Sequence, residues 1–228
     1  MKYTSGLITK IFIFFFFCST ACISFAQDLK SPSVIKVACI GNSITYGSGI
    51  ADREMNSYPA SLGRLLGTNY EVGNFGVSGR TLLRNGDYPY WKEEAFMNAI
   101  AFNPDIVIIK LGTNDSKPQN WRYKNEFERD YNDFIRSFSI LPTHPKIFIC
   151  NPVPAYEVKW GIRDSVIVNE QIPIIAKIGK ENNVEVIDLY NPFLDKGKYF
   201  PDGIHPDAEG AFLMAKEIYN AITNYKIK

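Results

Sequence analysis

The chain has 228 residues, 25 Lys+Arg against 24 Asp+Glu, and is 46% hydrophobic, 14% aromatic and 21% charged, which excludes an intrinsically disordered chain. The near-neutral balance lacks the Lys/Arg surplus that phosphate contacts require, so nucleic acid is not an expected partner. The two histidines, His144 and His205, exclude a His-rich metal cluster, and neither a metal nor an organic cofactor is expected.

The first element is a leader. Lys2 and Lys10 supply a positive start, Ile11 to Phe17 is a solid apolar run, and Ser24-Phe25-Ala26 places small residues at −3 and −1 of a cut before Gln27. Residues 1–26 are therefore expected to be a secretory signal peptide, whose apolar part is too short to span a membrane permanently. The expected location is secreted or periplasmic, with no membrane association after cleavage. Two alternatives stand beside it, an N-terminal membrane anchor and a lipoprotein anchored at Cys22, although Ser19 occupies a position where Leu is usual. Residues 27–228 suit one well-buried domain and are short for two. Its two cysteines, Cys39 and Cys150, sit in apolar strand-like surroundings and are read as buried thiols rather than a bridge.

Beyond the leader, strands and helices alternate. Val34–Ile40 is a β-branched apolar run closed by Gly41. Tyr58–Leu66 reads as a helix capped by Ser57 with Pro59 in its first turn. Tyr70–Phe75 is a weaker strand, and Trp91–Phe102 a helix that ends before Asn103-Pro104. Ile106–Leu111 is apolar enough to be covered on both faces. Tyr123–Phe138 is an amphipathic helix, Lys146–Cys150 a strand, and Val166–Glu181 a helix that Pro173 should bend, unless it sits near a break. Val184–Leu189 is the last strand and Ala208–Ile222 the closing helix. The alternation predicts an α/β fold, a three-layer α/β/α sandwich around a five-stranded parallel sheet.

Such sheets place their chemistry beyond the carboxyl ends of the strands. Those ends carry Gly41-Asn42-Ser43-Ile44-Thr45, Gly76-Val77-Ser78-Gly79-Arg80, Gly112-Thr113-Asn114-Asp115 and Asn151-Pro152-Val153-Pro154, and Asp202-Gly203-Ile204-His205-Pro206 precedes the last helix. Four of these blocks (GNSIT, SGRT, GTND and DGIHP) resemble, in order, the blocks of the SGNH (GDSL-type) hydrolases, and the match spans Gly41 to Pro206. The resemblance implies the flavodoxin-like fold of that family. It implies a nucleophile at Ser43, an acid–histidine pair at Asp202 and His205, and oxyanion donors at Gly79 and Asn114. One departure is visible: Asn42 stands where the family usually has Asp, which bears on the subfamily and the substrate rather than on the chemistry.

The residues fit those roles on their own terms. A serine hydroxyl needs a base to take its proton, and a carboxylate three residues before a histidine can reach back to Nδ1 and fix the tautomer whose Nε2 accepts it. The N–H of Gly79, the Asn114 amide and the N–H of Ser43 supply donors for an oxyanion. His144 reads as solvated and Asp115 as a structural residue bonding its own loop. Three aromatic loops (Tyr88 to Trp91, Trp121 to Tyr123, Tyr156 to Trp160) suit stacking on sugar rings or the covering of core edges. Arg80, Trp121, Tyr156 and Trp160 are the candidate substrate-binding residues, Arg80 for a substrate carboxylate or a neighbouring acid. The resulting expectation is a serine esterase that removes O-acyl groups, O-acetyl above all, from a carbohydrate. The alternatives are a lysophospholipase or short-chain lipid esterase, and a non-catalytic carbohydrate-binding domain. The sequence carries no signal for oligomeric state.

Overall fold

Five strands, β1 (Ile35–Gly41), β2 (Tyr70–Gly76), β3 (Ile106–Lys110), β4 (Lys146–Cys150) and β5 (Glu185–Ile187), pair in parallel in the order β2-β1-β3-β4-β5. The computed structural model describes residues 34–224, so the expected leader 1–26 and Cys22 lie outside the described residues. Helices α1 (Ser43–Tyr46), α2 (Arg53–Asn56) and α3 (Tyr58–Leu66) connect β1 to β2, and α4 (Glu94–Ala101) leads into β3. Next, α5 (Pro118–Trp121) and α6 (Lys124–Ser139) precede β4, and α7 (Asp164–Val166) and α8 (Ile172–Asn182) precede β5. The last helix is α9 (Ala208–Asn224).

Side chains alternate between the two faces of each strand, and both faces are apolar. On one face Ala38, Ile40, Val107, Ile109 and Ile149 pack against Phe96 of α4, Phe134 of α6 and Ile178 of α8. On the other, Val37, Cys39, Ile108 and Phe148 pack against Leu62 of α3 and Met214 of α9. This is the three-layer α/β/α sandwich. Cys39 and Cys150 are buried and unbridged, and burial pushes both thiols up, Cys150 to about 12, so both stay protonated at neutral pH.

Local departures from the sequence reading have tertiary causes. The expected helix from Trp91 begins at Glu94, behind a 3₁₀ turn at Tyr90–Lys92. Tyr90 is held by donating its backbone N–H to Thr81 and its hydroxyl to the Phe75 carbonyl, and the Trp91 indole donates to Leu82 at 2.7 Å. Pro173 sits near a break, as expected, in the first turn of α8. The run from α7 to α8 shifts to π geometry at Ile167–Gln171, just before the proline. Ser57 occupies the cap position of α3 but makes no side-chain cap bond, whereas Asp207 accepts from Gly210 N at 2.8 Å ahead of α9.

The strand order reverses between β1 and β3, and in sheets of this order the crevice outside those carboxyl ends is where ligands bind. Gly41 makes the exit from β1 possible. A Cβ there would meet Thr45 Oγ1 and lie 2.7 Å from the Lys110 carbonyl oxygen, so only glycine lets the chain turn into α1 across the end of β3.

Lys110, opposite Gly41, is fully buried, and its Nζ lies 3.3 Å from Thr113 Oγ1. Burial pushes its pKa down to about 7. The unfolded chain takes up a proton here that the folded chain holds poorly, so this lysine makes stability rise with pH from about 7 to 10. Lys110→Met is expected to raise the melting temperature at pH 7 by several degrees and to flatten that rise. Thermal denaturation across the window checks it; a lower melting temperature at pH 7 would mean that the Thr113 bond outweighs the burial cost.

Candidate active site

Asn42 leaves β1 in an extended conformation and caps α1, its side-chain oxygen accepting from Ile44 N at 3.1 Å. The cap needs only an acceptor oxygen, which Asn provides as well as Asp, so the departure at this position keeps the turn. The turn presents Ser43 as the first residue of α1, with 9% of its surface exposed. Its Oγ lies 2.8 Å from His205 Nε2.

His205 is positioned by its own turn. Asp202 Oδ1 accepts the backbone N–H groups of Ile204 (2.9 Å) and His205 (2.7 Å), while Oδ2 lies 2.7 Å from His205 Nδ1. Burial works to raise the Asp202 pKa, but the hydrogen bonds from the His205 backbone and ring and from Ile204 outweigh it and hold the carboxyl below its ordinary value. An ionised Asp202 fixes the proton on Nδ1 and leaves Nε2 as an acceptor facing the serine hydroxyl.

Two loops complete the cleft. Gly79 follows β2 at φ +82°, a left-handed conformation that side chains disfavour, and an added Cβ would meet nothing within 4 Å, so the turn rather than crowding requires glycine. Asn114 follows β3; one hydrogen of its amide goes to the Arg80 carbonyl at 3.1 Å, which aims the NH₂ along the Gly79 loop. Asp115 is fully buried and accepts from Leu82 N (3.1 Å) and Leu83 N (2.8 Å). It therefore clamps the neighbouring Gly79–Arg80 loop as well as bonding its own backbone, which extends the sequence reading. Burial pushes its carboxyl up to about 6 despite those donors. Gln171, on the π turn, donates to the Gly112 carbonyl at 2.9 Å and holds the Asn114 loop from behind. Neither long-range bond leaves a trace in local sequence.

The cleft has a volume of about 210 Å³ and brings together Ser43, Gly79, Asn114, His205 and Trp160, along with Ser48, Ser78, Lys117 and Ile162, which the sequence reading did not single out. Ser48 and Ser78 share a hydrogen bond of 2.7 Å in its wall. The Trp160 ring stands 5.3 Å from the His205 ring, centre to centre. The remaining substrate-binding candidates lie elsewhere. Trp121 is buried against Phe127 in the core beneath α6, and Tyr156 packs on Phe200 and donates its hydroxyl to the Phe193 carbonyl. Arg80 is taken up by Glu93 at 2.8 Å and by the Ser78 carbonyl at 2.7 Å. These three are withdrawn as substrate contacts, because packing or pairing has already used the groups that would bind. His144 is exposed, as expected.

Fold and site together define an α/β protein with its polar constellation at the switch point. The sequence profile of the GDSL-like lipase/acylhydrolase family matches residues 39–211, and the chain belongs to that family. An acetylxylan esterase from Xylanibacter ruminicola is 46% identical over 86% of this chain, which spans 45% of that relative's length. Among solved structures, an acetyl xylan esterase (22% identical, TM-score 0.63, covering 82% of this chain and all of its own) shares the fold. So does a carbohydrate acetylesterase from Sinorhizobium meliloti (19%, TM-score 0.65, 83% and 99%).

Proposed function

We propose that the chain is a serine esterase that removes O-acetyl groups from a carbohydrate, acting as a secreted or periplasmic protein after loss of residues 1–26. The observation that carries the reading is the continuous hydrogen-bonded line from Asp202 through His205 to Ser43 Oγ, with bonds of 2.7 and 2.8 Å. The acetylxylan esterase relative supports the substrate class. The small cleft, walled by serine hydroxyls, suits an acetyl group better than a long acyl chain.

In this reading Ser43 Oγ attacks the acetyl carbonyl while His205 Nε2 takes its proton, and Asp202 stabilises the imidazolium. The N–H groups of Gly79 and Ser43 and the Asn114 amide donate to the developing oxyanion. Collapse expels the sugar alcohol, which receives the proton from His205. Water, deprotonated by the same imidazole, then attacks the acyl-enzyme and releases acetate. No step uses a metal or an organic cofactor.

Asn114→Ala is expected to lower kcat by roughly 10²–10³-fold with little change in KM, because the lost donor acts on charge that appears only in the transition state. Steady-state kinetics on p-nitrophenyl acetate check it; an unchanged kcat would remove Asn114 from the oxyanion site. The proposed function itself is tested by acetate release from acetylated xylan beside a p-nitrophenyl ester series of rising chain length. Acetate release with a preference for the acetyl ester is expected. Rates that climb steeply with chain length would instead favour the lipid-esterase alternative, and no turnover of any ester would favour the non-catalytic sugar-binding one.

A further inference from the structure

The site just described leaves one charged group of its own wall unused. Lys117 lines the cleft with Ser43, Asn114 and Trp160, three residues beyond Asn114, and forms no ion pair among the described residues. We infer that Lys117 binds a carboxylate on the substrate, so that the preferred acetyl ester is carried by a saccharide with a uronic acid beside the acetylated sugar. This inference rests on the carbohydrate-esterase reading and narrows it.

The lysine is placed rather than trailing. Its backbone N–H donates to Asn114 O, its carbonyl accepts from Asn120 N and Trp121 N, and it caps α5. Its stem lies along Gly161, with Cβ and Cγ 3.9 and 3.8 Å from the point a Gly161 Cβ would occupy, an ordinary packing distance. Arg163 ties the two segments together, its backbone N–H donating to Ser116 Oγ at 3.0 Å and its Nε to the Ser116 carbonyl at 2.8 Å. The loop bearing Trp160 is thus fastened to the loop bearing Lys117.

Trp160 is the other half of the feature. It is 55% exposed, and its backbone sits at φ +52°, a conformation costly for a bulky residue that the fastened loop maintains. A flat ring next to His205, with a lysine in the same cleft wall, matches a sugar ring that carries a negative charge. Lys159, whose Nζ lies 5.0 Å from the Trp160 ring centre, adds positive potential at the mouth.

Four of the nearby acids are occupied, and a fifth, Glu157, lies exposed against Gly203 outside the cleft lining. Asp202 serves His205, Asp115 the Leu82 and Leu83 N–H groups, and Glu93 holds Arg80. Asp164 accepts from Ala155 N and the Tyr190 hydroxyl. Among the described residues, no Asp or Glu lines the cleft. The carboxylate-binding role that the sequence suggested for Arg80 thus passes to Lys117, because Arg80 already has its acid and Lys117 has none.

The test compares acetylated xylo-oligosaccharides with and without a glucuronic acid substituent, using the wild-type chain, Lys117→Met and Lys117→Arg. The expected wild-type result is a kcat/KM about fivefold to tenfold higher on the acidic substrate, carried by KM and shrinking as salt rises. Lys117→Met should bring the two substrates to equal kcat/KM, and Lys117→Arg should restore part of the preference. Equal wild-type rates on both substrates would overturn the inference, and this arm needs no variant. A loss in Lys117→Met that is the same for both substrates would also overturn it, since the lysine would then serve the oxyanion of every ester. Acetate from neither saccharide, with p-nitrophenyl acetate still turned over, would remove the carbohydrate reading itself, and the inference with it.

Discussion

Ser43→Ala is expected to lower turnover of p-nitrophenyl acetate by roughly 10⁴–10⁶-fold while leaving the melting temperature within a degree or two. The loss is large because no second hydroxyl is in line with His205: the cleft serines Ser48 and Ser78 bond to each other at 2.7 Å. The fold should be indifferent to the change, since among the described residues Ser43 makes one side-chain bond, to His205 Nε2, and the turn into α1 is set by Gly41 and the Asn42 cap. Residual activity in the variant would come from the oxyanion donors. Wild-type turnover in a well-folded Ser43→Ala would assign the nucleophile elsewhere.

Asp202→Asn should cost on the order of 10³–10⁴-fold in kcat. Asn at this position keeps an oxygen for the Ile204 and His205 N–H groups, so the turn survives. At the second atom, however, an NH₂ replaces the carboxylate oxygen that now lies 2.7 Å from His205 Nδ1. The imidazole must then accept at Nδ1 and carry its proton on Nε2, pointing a donor at Ser43 Oγ where an acceptor is needed. Stability should respond as well. The Asp202 pKa is held below its unfolded value, so its contribution is fully present above about pH 4, where the unfolded carboxyl is ionised, and disappears as pH falls through the folded value. The melting temperature of Asp202→Asn should therefore lie below wild type at neutral pH and converge with it in acid. Stopped assays and thermal scans from pH 3 to 8 check both parts. Wild-type rates would mean that another acid orients His205.

Much of the frame can be read from local sequence because local patterns dictate it. The Val/Ile-rich runs at Ile106 and Lys146 form strands at nearly the expected residues, because a strand covered on both faces has to be apolar throughout. Val184–Leu189 shrinks to Glu185–Ile187, since an edge strand pairs on one side only, and there only along Phe148–Cys150. The residues of the Ser43, Asp202 and His205 line were legible because each lies in a short turn whose glycines, prolines and spacing are its own. Asn114 and Gly79 are likewise marked by their blocks.

What could not be read is everything that depends on which way a loop faces. Trp121, Tyr156 and Trp160 look alike in sequence, three rings in polar loops, yet the first is packed on Phe127, the second on Phe200, and only the third reaches the cleft. Arg80 and Lys117 differ in the same manner. Glu93, thirteen residues away, neutralises the former, and no local pattern announces that partner. The Asp115 clamp and the Gln171 bond to Gly112 join residues 32 to 59 positions apart, and they fix the loops that carry Gly79 and Asn114.

Reaction with a fluorophosphonate, read by intact mass and peptide mapping, puts the nucleophile to the most direct trial. One equivalent of label on Ser43, greatly slowed by His205→Ala, is the predicted result. No label at saturating reagent, or label on any other side chain, would contradict a serine activated by His205.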